Sequence, residues 1–287
     1  MSNNIPLFIS LVLTIIIMVG LPIFLAIFFT RRLKVSWWIV LTGVLTFAVA
    51  YALNRLALTG VNTLFSKGIL SVTSDQWFPI VVAVIIGFLA AVFHESARWV
   101  GFKVLGKRAE KFGASLAAGA GHGGIESIYI CVFGTAISLF TVLFYNAGAK
   151  IAAGVSAQEV QYTLSQIEMF WATPWHYGLV AAVMQLIMFS THIFLSTMVW
   201  KSVVDRSAVW FLLAVLYHMV VVAVNTFLQQ INWNIWAVQG VMAIFLLLNL
   251  YMIYRFWKEE SEIEKEMEEL DDDDLDEDEE EDEYDDD

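Results

Sequence analysis

Apolar positions along this chain gather into seven long runs, near 6–30, 36–58, 77–105, 113–146, 174–200, 207–228 and 234–256. Each is long enough to cross a hydrocarbon core, which takes about 20 helical residues. The pattern predicts an all-α fold, a polytopic membrane bundle of seven transmembrane helices. The link 59–76 has room for a short interfacial or re-entrant piece. Between the fourth and fifth runs, the stretch 155–172 repeats Val160, Leu164, Ile167 and Phe170–Trp171 at helical spacing. That spacing predicts an amphipathic helix lying along the outer membrane surface. Trp171, Trp175 and Tyr177 suit the headgroup level.

Composition supports the pattern: 59% of the 287 residues are apolar, and the mean hydropathy is +0.67. Those values exclude an ordinary soluble domain. The net charge of -13 hides two regions of opposite sign. Residues 1–258 form a mildly basic transmembrane domain. Residues 259–287 hold 22 acids and one Lys. This acidic tail is expected in the cytoplasm and disordered beyond about 270, because self-repulsion and a lack of apolar surface prevent folding there. A basic protein or a cation is the partner its charge would attract. The single cysteine, Cys131, excludes an intramolecular disulfide.

Basic residues set the expected topology. Arg31, Arg32 and Lys34 follow the first run, Lys103, Lys107, Arg108 and Lys111 the third, Lys201 and Arg206 the fifth, and Arg255 and Lys258 the last. The alternate loops hold only Lys67 and Lys150, with Arg55 near the far end of the second run. By the positive-inside rule the N-terminus is outside and the C-terminus cytoplasmic. Because the basic cluster follows the first run, that run is expected to be a retained span rather than a cleaved signal peptide.

The runs are interrupted by groups that are costly in lipid. Glu95 and Arg98 lie within the third run, three residues apart and so on one helix face. An intramembrane charge costs roughly 2.5 to 3.5 kcal/mol even on a mild scale. His122 and Glu126 share a face of the fourth run at i and i+4, within Gly119-Ala120-Gly121-His122-Gly123-Gly124. Gly119 and Gly123 have the small-xxx-small spacing that lets a neighbouring backbone approach. His192 lies in the fifth run and His218 in the sixth. Counted from the nearest basic residue at 1.5 Å per residue, Glu95, His122, Glu126, His192 and His218 fall roughly 12 to 22 Å into the membrane. Five ionisable groups at similar depth on four helices predict one water-accessible pocket in the cytoplasmic half. His176, between Trp175 and Tyr177, reads as an interface residue at the opposite surface.

Two chemistries suit this set. A desolvated carboxylate can act as general base on water, with imidazoles orienting the water or donating to an oxyanion, and no cofactor is then needed. Zinc is the alternative, held by His122, His192, His218 and Glu126, although the His-Glu-x-x-His signature is absent. Two other function classes fit the same residues: a proton-coupled transporter, and a scaffold or assembly factor. Against transport, no paired, broken spans recur in two similar halves.

At these residues the chain resembles a known family. His94-Glu95-Ser96-Ala97-Arg98-Trp99, Gly121-His122-Gly123-Gly124-Ile125-Glu126, Thr191-His192-Ile193-Phe194-Leu195-Ser196 and Tyr217-His218 resemble the successive motifs of the YhfC family. That family is regarded as one of intramembrane proteases, distantly similar to type II CAAX prenyl endopeptidases, PrsW proteases and the APH subunit of gamma-secretase. The resemblance implies a multi-pass cell-membrane enzyme with a glutamate-dependent site: Glu95 or Glu126 activating water, Arg98 fixing the carboxylate, and His122, His192 and His218 assisting. It implies membrane lipid and a membrane-protein or peptide substrate as partners, and no nucleic acid. Two departures stand out. His94-Glu95 replaces the paired glutamates of related proteases, which leaves a catalytically inactive homologue as an alternative. Asn225 follows His218 by seven residues rather than by one helical turn.

Overall fold

A computed structural model describes residues 4–72 and 74–282, and every regular element among them is helical. Seven helices are long and apolar enough to cross a membrane: α1 (Ile5–Arg32), α2 (Trp37–Ser66), α3 (Phe78–Leu105), α4 (Phe112–Phe144), α7 (His176–Val204), α8 (Ala208–Gln230) and α9 (Ile235–Asp282). Two shorter helices, α5 (Ala147–Ala152) and α6 (Ala157–Ala172), connect α4 to α7. The chain is therefore a multi-pass membrane protein. Helix α2 runs past the expected end of its span to Ser66, and among the described residues of 67–77 there are only turns.

Local chemistry explains the helix ends. Ser36 caps α2 by accepting the Trp38 N–H. Ser156 and Glu159 form a reciprocal capping box at the start of α6. Val160 and Ile167 of α6 are buried, and Phe170 and Trp171 pack on Leu7, Leu11 and Leu139. The amphipathic helix is also tied to α1, because the Asn4 amide donates to the carbonyls of Trp171 and Thr173.

Helices α1 and α4 each contain a π turn, Ile16–Gly20 and Cys131–Ala136. The first has a visible cause. Pro22 has no N–H for the Met18 carbonyl four residues back. Ser127 Oγ of α4 donates to that carbonyl at 2.7 Å instead.

Helix α7 is the central rod, and every residue from Phe189 to Ser202 is buried. Helices α1, α3, α4, α8 and α9 all pack on it. Helix α4 is wedged between α2 and α7 through glycines. A Cβ on Gly121 would lie 2.1 Å from the Val40 carbonyl oxygen of α2, and one on Gly119 would lie 2.7 Å from the Ile193 Cα of α7. Both obstacles are backbone and cannot rotate away. Gly121→Ala is therefore expected to lower stability by about 1–3 kcal/mol or more, as overpacking does. Thermal unfolding in detergent checks this. Gly134→Ala in the same helix is the control, since its added Cβ meets nothing within 4 Å.

At the end of the bundle that carries the basic links, Lys201 of α7 is buried. It meets Glu260 at 2.8 Å and Glu259 at 3.3 Å, where α9 enters the acidic segment. Helix α9 continues to Asp282, beyond where the charge run alone predicts disorder. A helix already formed by the last span propagates without a new nucleation cost. Residues 283–287 of the expected tail lie outside the described residues.

Candidate active site

Four helices bring their polar residues to one cluster: His94, Glu95 and Arg98 from α3, His122 and Glu126 from α4, His192 from α7 and His218 from α8. All six candidates from the sequence are in it. His94, which the sequence marked only as a departure from the related motif, is the seventh member. The His94 ring centre lies 5.1 Å from that of His122, 5.7 Å from His218 and 6.2 Å from His192. His122 to His192 is 5.2 Å and His192 to His218 is 5.6 Å. Every member is buried except Glu126, whose side chain is 18% exposed.

Glycine packing sets the spacing of these helices. Gly123 lets the His192 Cβ approach α4, alongside the Gly119–Ile193 contact. A second brace comes from α9. Asn249 accepts from the Tyr217 hydroxyl at 2.5 Å and donates to Ser190 and Thr191 at 3.1 and 2.9 Å. Tyr217 and Thr191 are the neighbours of His218 and His192, so the brace fixes the turns that carry those imidazoles. The sequence reading missed Asn249, although a lone amide within Phe245-Leu246-Leu247-Leu248-Asn249-Leu250 was a legible signal.

The donor inventory of each side chain fixes the direction of the hydrogen bonds. Thr46 gives its one hydroxyl proton to the Gly43 carbonyl, so it accepts from His122 Nδ1 at 3.0 Å. His122 Nε2 is then an acceptor, and His94 Nδ1 donates to it at 2.9 Å. His94 keeps a lone pair on Nε2. Glu95 Oε1 pairs with Arg98 and accepts from His218 Nδ1 at 2.6 Å, which leaves a lone pair on His218 Nε2. Arg98 can only donate, so His192 Nδ1 accepts from it at 2.5 Å. A neutral His192 thus carries its proton on Nε2, which touches Glu126 Oε2. That contact is off the line of a hydrogen bond, and both atoms remain without a hydrogen-bond partner among the described residues.

This set can do two things chemically. Glu126 offers a carboxylate oxygen with no hydrogen bond, beside imidazoles, as a proton acceptor needs. Imidazole nitrogens with a carboxylate are also a donor set that zinc takes. The residues fit such an ion by type and by one observation: two orphaned ligand atoms, His192 Nε2 and Glu126 Oε2, face each other in a buried place where an unpaired polar atom is costly. The side chains are closed on one another, and no group of three or more among the described residues surrounds a single point as a finished coordination shell. An apolar cavity of about 180 Å³ adjoins α4 on its other side, lined by Pro22, Val40, Gly121 and Gly124 among others.

Comparison with known proteins gives the chain a family. The chain is 26% identical over 240 residues to a protein of Bacillus subtilis (strain 168) described as "Uncharacterized membrane protein YhfC", covering 82% of this chain and 90% of that protein. No solved structure matches the chain. The family model described as "YhfC intramembrane metalloprotease" matches residues 17–263, a span that contains all four helices of the cluster. The chain therefore belongs to the YhfC intramembrane metalloprotease family.

Proposed function

We propose that this protein hydrolyses a peptide bond of a membrane-embedded substrate at the seven-residue cluster, in the cytoplasmic half of the bilayer. The observation that carries the reading is the cluster itself: ionisable side chains from four helices, buried and joined in one network. A merely structural ion pair would need only Glu95 and Arg98.

The hydrogen bonds distribute the roles. Glu126 Oε2 takes the proton of the attacking water, since Glu126 is the partly exposed carboxylate and, unlike Glu95, is not paired with Arg98. Glu95 is a positioning residue, because Arg98 and His218 both engage its Oε1. It fixes His218 with Nε2 turned to accept or to coordinate, a carboxylate–histidine arrangement common beneath metal ligands. The Thr46–His122 pair holds His94 in the matching orientation. Zinc, when bound, supplies Lewis-acid chemistry that makes water acidic near neutral pH. His94 and His218 would hold it, through the Nε2 lone pairs that their hydrogen bonds leave free. His122 has both nitrogens engaged, and His192, with its proton on Nε2, would join the set only by changing tautomer and giving up the Arg98 bond. The apolar cavity beside Gly121 and Gly124 suits the approach of an apolar substrate segment from lipid.

Two measurements test this reading. Co-expression with candidate single-pass membrane proteins is expected to yield cleavage by the wild type and none by a His94→Ala, His218→Ala double variant. Purified protein is expected to hold about one zinc per chain near pH 7.5 and to lose it toward about pH 5.5, because protons then compete with the metal for the imidazole lone pairs. Undiminished cleavage by protein stripped of metal would remove the zinc from the mechanism. Absence of cleavage across the candidate substrates, with the double variant folding normally, would favour the scaffold reading.

A further inference from the structure

The proposed hydrolysis consumes water, yet the cluster is buried among helices. Two polar atoms on its side toward the basic end of the bundle make no hydrogen bond among the described residues: Arg98 Nε and Ser196 Oγ. Both residues are buried, 2% and 0% exposed. Both line the same small cavity, with Thr42, Thr46 and Phe102. Its volume of about 10 Å³ is room for roughly one water, and it offers the two or more polar partners that an ordered water requires. Phe102 is also a wall of a second cavity, of about 480 Å³, which is lined by Lys103, Lys107 and Arg206 in the basic links. The sequence of spaces is thus a charged vestibule, the Phe102 ring, a one-water cavity, and then Arg98, whose other nitrogens touch Glu95 and His192.

We propose that the cavity between Arg98 Nε and Ser196 Oγ is a water-binding station through which the hydrolytic water enters from the basic end of the bundle, with Phe102 as the partition between vestibule and station. Ser196 is a positioning residue here: it accepts from or donates to the water and does not touch the substrate. The apolar cavity beside Gly121 shares no lining residue with the station and has almost no polar lining, so water and an apolar substrate segment would arrive through different cavities. The use of this water in hydrolysis rests on the function proposed above; its presence does not.

Hydroxyl-radical footprinting of the purified full-length protein tests the station, since radicals made from a bound water oxidise the side chains beside it. Phe102 is expected to be oxidised at least several-fold faster than Phe112 and Phe194, which are equally buried. Ser196→Val, which fills the station with methyls, is expected to bring Phe102 down to their rate. Thr42→Val, at a half-buried position and close in shape, serves as a second drying variant should Ser196→Val fail to fold. Phe102 labelling no faster than the controls, or unchanged in both variants, would overturn the station. In the cleavage assay, Ser196→Val is expected to slow turnover about tenfold at an unchanged KM, and a dried station with undiminished cleavage would overturn the route. If wild-type protein cleaves nothing, the hydrolase reading fails, and the station still stands or falls on the oxidation of Phe102.

Discussion

Glu126→Gln is expected to lower the cleavage rate by about 10²–10⁴-fold, the contribution of a positioned general base. The change removes one charge and keeps the shape. Glu126 has no role in the Arg98–Glu95–His218 pairing, so the bundle should fold and unfold as the wild type does. Its side chain is the only one of the cluster with appreciable exposure, 18%. Protein level in the membrane, thermal unfolding and zinc content are the accompanying measurements. Wild-type cleavage by Glu126→Gln would transfer the role of base to Glu95. Retained zinc with lost cleavage is the expected combination, because the imidazoles are assigned to the metal and the carboxylate to the proton.

Arg98→Met has the largest expected effect on stability. Arg98 is 2% exposed and pairs with Glu95, which is 0% exposed. Truncating one partner leaves the other charge buried and unpaired, which costs about 3–5 kcal/mol. At about 2–4 °C per kcal/mol for a chain of this size, the unfolding midpoint should fall by roughly 10 °C. The double variant Arg98→Met, Glu95→Gln removes both charges and should recover much of the midpoint. It should not recover cleavage, since His218 then loses the carboxylate that orients it and His192 loses its clamp. Arg98→Lys should fall between, because an ammonium cannot span Glu95 and His192 as a planar guanidinium does. A midpoint unchanged in Arg98→Met would show that the pair contributes nothing to the fold.

Much of this protein was readable along one dimension. Apolar runs located all seven spans, and two helices extended well past their expected ends, α2 to Ser66 and α9 to Asp282. Helical spacing in 155–172 found α6, although not its tie to α1 through Asn4. Counting residues from the basic links placed Glu95, His122, Glu126, His192 and His218 at one depth, because an α-helix converts residue number into height at a fixed rise. The small-xxx-small spacing of Gly119 and Gly123 anticipated the close approach of α4 to α7.

Height, however, says nothing about rotation around each rod or about which rods are neighbours. His94 follows from rotation. Adjacent to Glu95 and one turn before Arg98, it reads as a substituted position, and only the packing of α3 against α2, α7 and α8 turns it toward His122. The parts played by Thr46, Asn249 and Ser196 depend on neighbours far away in the chain: His122 for the first, Tyr217 and Thr191 for the second, and Arg98 for the third. The sequence alone determined the membrane spans, the charge asymmetry and the common level of the ionisable groups, since lipid imposes a length and a cost that each segment meets by itself. The tertiary structure decided which carboxylate is clamped by Arg98 and which stays partly exposed, because the partners of a side chain are chosen by the azimuth of its helix, and that azimuth is set by backbone contacts such as Gly121 on Val40 that belong to no single segment.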